Sequence, residues 1–325
     1  MEIIKKRIDK NKLYNNGNIT KDVCFLDIET TGFNRNRDII YLVGILYFDK
    51  KEDTWILSQY FANELKDEPQ VLIESSKLLM SFKTIINYNG NTFDIPFINH
   101  KLKYFKLPFY IDKEKSLDLY SIIRKNKDLL KIDNLKLKTV EEYLGIFRED
   151  IYSGKDCIDF YKDYILHRDL ELKNRLLSHN YDDLYFLIDI IDIINIIRKK
   201  KSFKVNKNDE MIEFVISDIK ESKDSFIFEG DIEGLREKLI YYDASFNLLI
   251  EDTNKFKLIL YVTRGLVTPD ETCTFIDKRD FNISKDISVT HGYALPKNIF
   301  LLKIESEYLL EDILELLKEI IENLI

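Results

Sequence analysis

Val23-Cys24-Phe25-Leu26 is apolar at every position before the chain reaches Asp27-Ile28-Glu29-Thr30-Thr31-Gly32. A strand whose odd and even residues are both apolar is covered on two faces, which places it inside a sheet with other layers packed on each side. Two more strand-like runs follow, IIYLVGILYF (39–48) and TWILSQYF (54–61), separated by the turn-rich segments TTGFNRNRD and DKKED. A helical pattern near 69–82 leads to a fourth strand, TIINY (84–88), and a second helix begins near Ile95. From Leu119 to Lys199 apolar residues recur at spacings of three and four, which predicts mainly helix. Strands interleaved with helices and then helices alone give an α/β layer architecture.

The pattern changes at RKKKSFKVNKN (198–208), which breaks the helical period and gathers positive charge. Residues 1–21 are expected to be a polar, extended lead-in, 22–200 a first domain, 201–208 a basic linker, and 209–325 a smaller α+β domain. The linker has an alternative reading as a phosphate-contacting strip. The last domain carries the strand-like runs IEFVISDI, SFIFEGDI, FNLLIED, FKLILYVT and TCTFID. A looser stretch (279–298), the run NIFLLKIESE and a C-terminal helix follow. Charge divides with the boundary. The net charge of the whole chain is −8, but residues 206–325 hold 14 Lys+Arg against 25 Asp+Glu, net −11, which leaves 35 against 32 and net +3 in residues 1–205. The acidity therefore says little about what the first domain can bind.

Several classes are excluded at this level. Gly and Pro number only 10 and 5, too few for a collagen-like or low-complexity chain. Cys24, Cys157 and Cys273 are far apart and form no CxxC pair, so neither a disulfide framework nor a zinc site is expected, and a reducing, cytoplasmic location is. The opening MEIIKKRIDKNK has no apolar signal region. The run Ile39–Phe48 is too short for a helix across a bilayer of roughly 30 Å, so no membrane partner is expected.

Three acidic constellations stand out. Asp27 and Glu29 alternate onto one face at the end of an otherwise apolar strand. Two carboxylates there repel each other and lose hydration unless a cation joins them; the plain alternative places Glu29 in the solvated turn with Thr30, Thr31 and Gly32. Asp94 sits in Asn87-Tyr88-Asn89-Gly90-Asn91-Thr92-Phe93-Asp94-Ile95-Pro96, where a turn gives way to a helix, and it can cap that helix, ligate a cation, or do both. The third lies in His179-Asn180-Tyr181-Asp182-Asp183. On a helical wheel Leu187, Ile190, Ile194 and Ile197 fall within about 40° of Asp183, which puts this acid on the apolar stripe, whereas Asp182, Asp189 and Asp192 lie on the solvated arc. His179 is one turn before Asp183 on the same face. Tyr143 and Phe147, at helical spacing, are expected in the core, Asp118 as a helix cap, and Trp55 in packing.

In this order and at these separations, DIETTG, NGNTFDIPF and HNxxD resemble the three motifs of DEDD-type 3′–5′ exonucleases of the ribonuclease-H-like superfamily, and in particular YprB-like proteins. Ser116-Leu-Asp-Leu-Tyr120, Leu135-Lys-Leu-Lys-Thr-Val-Glu-Glu-Tyr-Leu-Gly145 and Arg148-Glu-Asp-Ile-Tyr-Ser-Gly154 extend the resemblance across roughly residues 20–200. It implies a mixed sheet flanked by helices, followed here by the smaller α+β domain. It also implies Asp27, Glu29, Asp94 and Asp183 as ligands for two Mg²⁺ or Mn²⁺ ions, ions that suit oxygen donors, and His179 as the group that accepts a proton from the attacking water or orients it. The family's tyrosine subtype has Tyr four residues before the last acid and its histidine subtype has His five before; here His occupies the four-before position, so neither label transfers. Thr30, Asn89 and Phe93 are candidate substrate contacts, with turn formation and packing as the competing readings of the last two.

The function this implies is metal-dependent hydrolysis of phosphodiester bonds at the 3′ ends of DNA or RNA by a two-metal mechanism. A catalytically inactive, nuclease-like nucleic-acid-binding or scaffold protein is the alternative. The acidic C-terminal domain is compatible with a protein partner such as a helicase.

Overall fold

The structure is a computed structural model, and it describes residues 1–8, 22–148, 152–207, 209–281 and 291–324. Most of the expected lead-in (9–21), the residues 149–151 inside the third extended match, the last expected linker residue and much of the looser stretch (282–290) lie outside the described residues. The chain divides into two compact units, Met1–Ile194 and Asn195–Ile325.

The first unit is built on a six-stranded sheet. Its strands are β1 (Glu2–Ile8), β2 (Val23–Thr30), β3 (Ile40–Asp49) and β4 (Thr54–Phe61), then β5 (Thr84–Asn87) after helix α1 (Glu68–Leu79), and β6 (Ser116–Asp118) after helix α2 (Asp94–Tyr104). The spatial order is β1-β4-β3-β2-β5-β6. Pairing is antiparallel from β1 to β2 and parallel from β2 through β5 to β6. The sheet is therefore mixed, with β2 where the two modes meet. Alternation along β2 sends Leu26 and Ile28 into a core shared with Val71 and Leu72 of α1 and Ile95 and Ile98 of α2. Phe25, Asp27 and Glu29 face the other way.

Helices α3 (Leu119–Lys125), α4 (Lys127–Leu130), α5 (Leu137–Tyr143), α6 (Gly154–His167), α7 (Leu170–Ile190) and α8 (Asp192–Lys200) follow. The mainly helical prediction for 119–199 matches these six helices, but α7 stops at Ile190, so Ile194 and Ile197 do not continue the stripe of Asp183 on the same helix. Tyr143 and Phe147 are exposed rather than in the core, Phe147 at 81%. The reason is local: α5 ends at Tyr143, and Gly145 takes φ +75°, which breaks the period on which the core expectation rested.

The second unit has a six-stranded antiparallel sheet and a four-stranded one. The strands are β7 (Ser202–Lys207), β8 (Glu210–Glu221), β9 (Ser225–Glu233), β10 (Leu239–Tyr242), β11 (Phe246–Asp252), β12 (Lys255–Tyr261), β13 (Thr263–Leu266), β14 (Thr272–Asp277), β15 (Ile299–Ile304) and β16 (Glu307–Tyr308), followed by α9 (Leu310–Glu322). The order β10-β11-β12-β9-β8-β7 makes the larger sheet and β13-β14-β15-β16 the smaller. Phe214, Phe226, Phe228, Leu248 and Leu258 share a core with Ile313, Leu316, Leu317 and Ile320 of α9.

Two segments differ from the expectation. The stretch expected as a basic linker forms β7, paired antiparallel with β8. Phe203 and Val205 are buried while Lys204 is exposed, a period-two alternation that the lysine count hides. Residues 2–8, expected within a lead-in, form edge strand β1, whose exposed Lys5, Lys6 and Arg7 suit an edge because charge there discourages further strand pairing.

Candidate functional site

The C-terminal end of β2 carries Asp27 and Glu29, paired across β3 with Gly44 and Leu42. Neighbouring β5 runs into a tight turn toward α2. Asn87 is fully buried and accepts from Gly90 N–H at 3.0 Å. Asp118, at the end of β6, accepts from the backbone N–H groups of Asn89 at 2.9 Å and Asn91 at 3.2 Å. It also caps α3 through Ser121, so the cap reading of Asp118 holds and the same carboxylate fixes the turn. Asn89 adopts φ +66°, a left-handed conformation that Asn tolerates better than most residues. That turn delivers Asp94 as the first residue of α2, preceded by Phe93 at the N-cap position. Instead of capping from there, Asp94 accepts the Ile28 N–H at 3.1 Å and ties the helix start to β2.

Helix α7 supplies the opposite wall. Asn180 is fully buried and donates to Asp27 Oδ2 at 2.7 Å. Its own oxygen accepts from Gln59 Nε2 at 2.9 Å, and Gln59 also donates to the Leu177 carbonyl at 2.8 Å. This relay locks α7 onto β4 and β2 together. One residue before Asn180 and three residues after it, His179 and Asp183 turn toward the same end of the sheet. His179 Nε2 lies 3.7 Å from both Glu29 Oε1 and Asp183 Oδ2. Ligand atoms of Glu29, His179 and Asp183 all lie within 4.8 Å of one another.

Asp27, Glu29, Asp94, His179 and Asp183 line one cleft of about 260 Å³, with Thr30, Asn89 and Phe93 at its wall. Asp182, the neighbouring acid set aside on the helical wheel, does not line it. Thr30 donates its hydroxyl to the Gly32 carbonyl at 2.8 Å. Phe93 packs edge-on between Phe33 and Phe97, and Asn89 is a turn residue, so the structural readings of these two describe their contacts within the protein.

Crowding leaves a clear electrostatic mark. Burial pushes Glu29 up to about 7, with the Asp183 and Asp94 charges adding and His179 opposing. Burial likewise raises Asp94 to about 7 against the pull of backbone N–H donors. Asp27 is raised well above the usual carboxylate range, first by burial and then by the charges of Asp183, Glu29 and Asp94. Such shifts arise where carboxylates share a buried site, and a cluster of them marks a candidate functional site.

Five participants have no individual role in the sequence reading. Gly44 carried a usable signal: an isolated Gly inside an apolar strand marks a close approach, and a Cβ there would lie 2.2 Å from Asn180 Oδ1 and 2.5 Å from Leu184 Cδ1. Asn180 stands in the HNxxD match but has no role of its own there, and Gln59 reads as an ordinary polar residue. Arg148 and Glu141 form an ion pair that also reaches Asp183, and nothing in their spacing announces it.

A family profile described as the RNase_H superfamily (RNase_H_2) matches residues 24–195, more than half of the chain. The chain belongs to the RNase H superfamily. Within this superfamily fold, the matched segment runs from β2 into α8 and so contains every residue of the cleft. Solved structures similar to the chain include the family B DNA polymerase from the hyperthermophilic archaeon Pyrobaculum calidifontis, at 17% identity over 54% of this chain and 24% of that one, TM-score 0.41. The chain thus matches about a quarter of that polymerase's length. Brucella melitensis NrnC with bound Mg²⁺ is similar at 16% identity over 55% of this chain and 88% of that one, TM-score 0.27. E. coli exonuclease I in complex with a 5cy-dT13 oligonucleotide is similar at 12% identity over 64% and 54%, TM-score 0.31. No curated protein matches the sequence. Among the described residues, no helix is long and apolar enough to cross a membrane.

Proposed function

We propose that this chain is a metal-dependent 3′–5′ exonuclease that hydrolyses phosphodiester bonds at the ends of DNA or RNA. The observation that carries the reading is the convergence of Asp27, Glu29, Asp94 and Asp183 with His179 on one cleft, from three segments far apart in sequence. Four carboxylates form an oxygen-rich donor set that fits Mg²⁺ or Mn²⁺, and the burial and mutual repulsion that raise Asp27, Glu29 and Asp94 would be relieved by a cation beside them. Two such ions, when bound, supply charge neutralisation at the phosphate, activation of a water and stabilisation of the leaving 3′-oxygen.

The protein's own groups divide the remaining work. Asn180 donates to Asp27 Oδ2, and Asp94 accepts backbone N–H groups including that of Ile28, so both carboxylates are oriented while keeping lone pairs to offer a cation. Glu29 and Asp183 flank His179, whose Nε2 faces both carboxylates. From there the imidazole accepts a proton from the attacking water or orients that water. Thr30, Asn89 and Phe93 border the space that a terminal nucleotide would fill. The acidic second unit is the candidate surface for a protein partner.

The test uses single-stranded DNA, duplex DNA and RNA labelled at either end, incubated with Mg²⁺, Mn²⁺ or EDTA. The reading expects stepwise shortening of 5′-labelled strands, immediate release of 3′-label as mononucleotide, and silence in EDTA. Binding without cleavage on every substrate would instead support the inactive, nucleic-acid-binding alternative.

A further inference from the structure

Arg148 reaches two carboxylates at once. Its Nε donates to Glu141 Oε2 at 2.7 Å, its NH2 pairs with Glu141 Oε1, and its NH1 pairs with Asp183 Oδ1. The turn at the end of α5 makes this possible. The Ile146 N–H bonds back to the Glu141 carbonyl at 2.9 Å and Gly145 takes a left-handed φ, so the chain doubles over Glu141. The guanidinium carbon also sits 5.7 Å from the centroid of Phe186, one turn beyond Asp183 on α7. The side chains of Arg148 and Glu141 are 4% and 1% exposed.

Burying Glu141 is expensive and makes little sense if Arg148 existed only to neutralise Asp183. With Glu141 in place, Arg148 is already balanced, and the three groups together keep one negative charge. Arg148, its Nε and NH2 fixed as a fork on Glu141, therefore acts on Asp183 as an oriented NH1 donor more than as a discharging counter-ion. It occupies Oδ1, while Oδ2 is the oxygen that lies 3.7 Å from His179 Nε2 on the cleft side.

We infer that Arg148, backed by Glu141, is a positioning residue that holds Asp183 so that it offers the single oxygen Oδ2 to a divalent cation. The inference rests on the reading of Asp183 as a metal ligand. Lysine could not replace it, because one ammonium cannot serve both carboxylates with fixed geometry.

Mn²⁺ binding to the full-length protein, followed by electron paramagnetic resonance of the free ion, tests this without reference to activity. The variants are Asp183→Asn, Glu141→Gln and the charge-conserving pair Glu141→Gln/Arg148→Gln, each checked by thermal melting. The double variant removes the fork with no change in net charge, and Glu141→Gln leaves an unbalanced cation beside Asp183. Both are expected to weaken Mn²⁺ binding about 10- to 100-fold, the usual range for groups that orient ligands. Wild-type protein that binds no Mn²⁺, or Asp183→Asn that binds as wild type does, overturns the metal reading and this inference with it. Loss in Asp183→Asn with wild-type affinity in both clamp variants overturns the inference alone. Tighter binding in the double variant also overturns it, since Arg148 would then be a competitor of the cation.

Discussion

Gly44 stands directly across the β2–β3 ladder from Asp27, and the space its missing side chain leaves is filled by Asn180, the residue that holds Asp27 in place. A strand residue with no catalytic group thus sets how closely α7 approaches the sheet. Gly44→Ala inserts a methyl where Asn180 and Leu184 already sit. Overpacking of this kind costs about 1–3 kcal/mol, readable as a lower denaturation midpoint. It should also reduce nuclease activity at least about ten-fold, since small misplacements of catalytic groups are costly. A variant that melts earlier but cleaves normally would show that helix position and site geometry are independent.

Asp27 is the acid most tightly woven into the cleft, shifted by the charges of all three others. Asp27→Asn preserves its size and can still meet Asn180 while removing the charge. Metal-dependent cleavage is expected to fall by at least about 100-fold, with the fold intact by circular dichroism. Shortening that persists would assign the activity to another site or to a contaminant.

Protonation links the cleft to stability. Glu29, with an ordinary value near 4.5, rises to about 7 on folding, and Asp94 rises to about 7 as well. A carboxyl raised in this way binds its proton more tightly folded than unfolded. Its stabilising contribution is full below the unfolded value and is lost as pH climbs through the folded one. The metal-free protein should therefore lose melting temperature between pH 5 and 8, with Glu29 alone contributing about 3 kcal/mol at most. Glu29→Gln should flatten that decline. Mn²⁺ should restore stability at pH 8 and do little at pH 5, where protons occupy the carboxylates. Equal pH slopes for wild type and Glu29→Gln would contradict the assignment.

Asp118 lies outside the acid set yet fixes the turn that delivers Asp94. Asp118→Ala leaves the N–H groups of Asn89 and Asn91 without their acceptor, a loss of about 1–3 kcal/mol. Metal affinity should drop with it, because the start of α2 loosens. If Asp118 were itself a ligand, Asp118→Asn would impair Mn²⁺ binding as severely as Asp94→Asn; the structure predicts a far milder effect.

The legible part of this fold was the part governed by periodicity. β2, β3, β4, α1 and α7 announced themselves because their apolar residues recur at spacings set by one layer packing on another. The acids were legible for the opposite reason: Asp27 and Asp183 interrupt those patterns where burial should forbid charge. What escaped depends on contacts between distant segments. Arg148 meets Asp183 only because α5 folds back beside α7, and Gln59 meets Asn180 across more than a hundred residues. β1 and β7 were hidden for another reason. Each is lysine-rich, and in β7 the alternation of Phe203 and Val205 was masked by the charges between them.

The order in which the cleft is filled along the chain has a bearing on how it is made. Asp27 and Glu29 come with β2 and Asp94 with α2, but His179 and Asp183 arrive only with α7, more than eighty residues later. A ribosome partway through this chain displays a growing sheet with half a cleft, lacking both the imidazole and the last acid. The cleft is completed late in synthesis of the first unit, so a nascent chain beside the messenger that encodes it carries an incomplete site until α7 has emerged and docked.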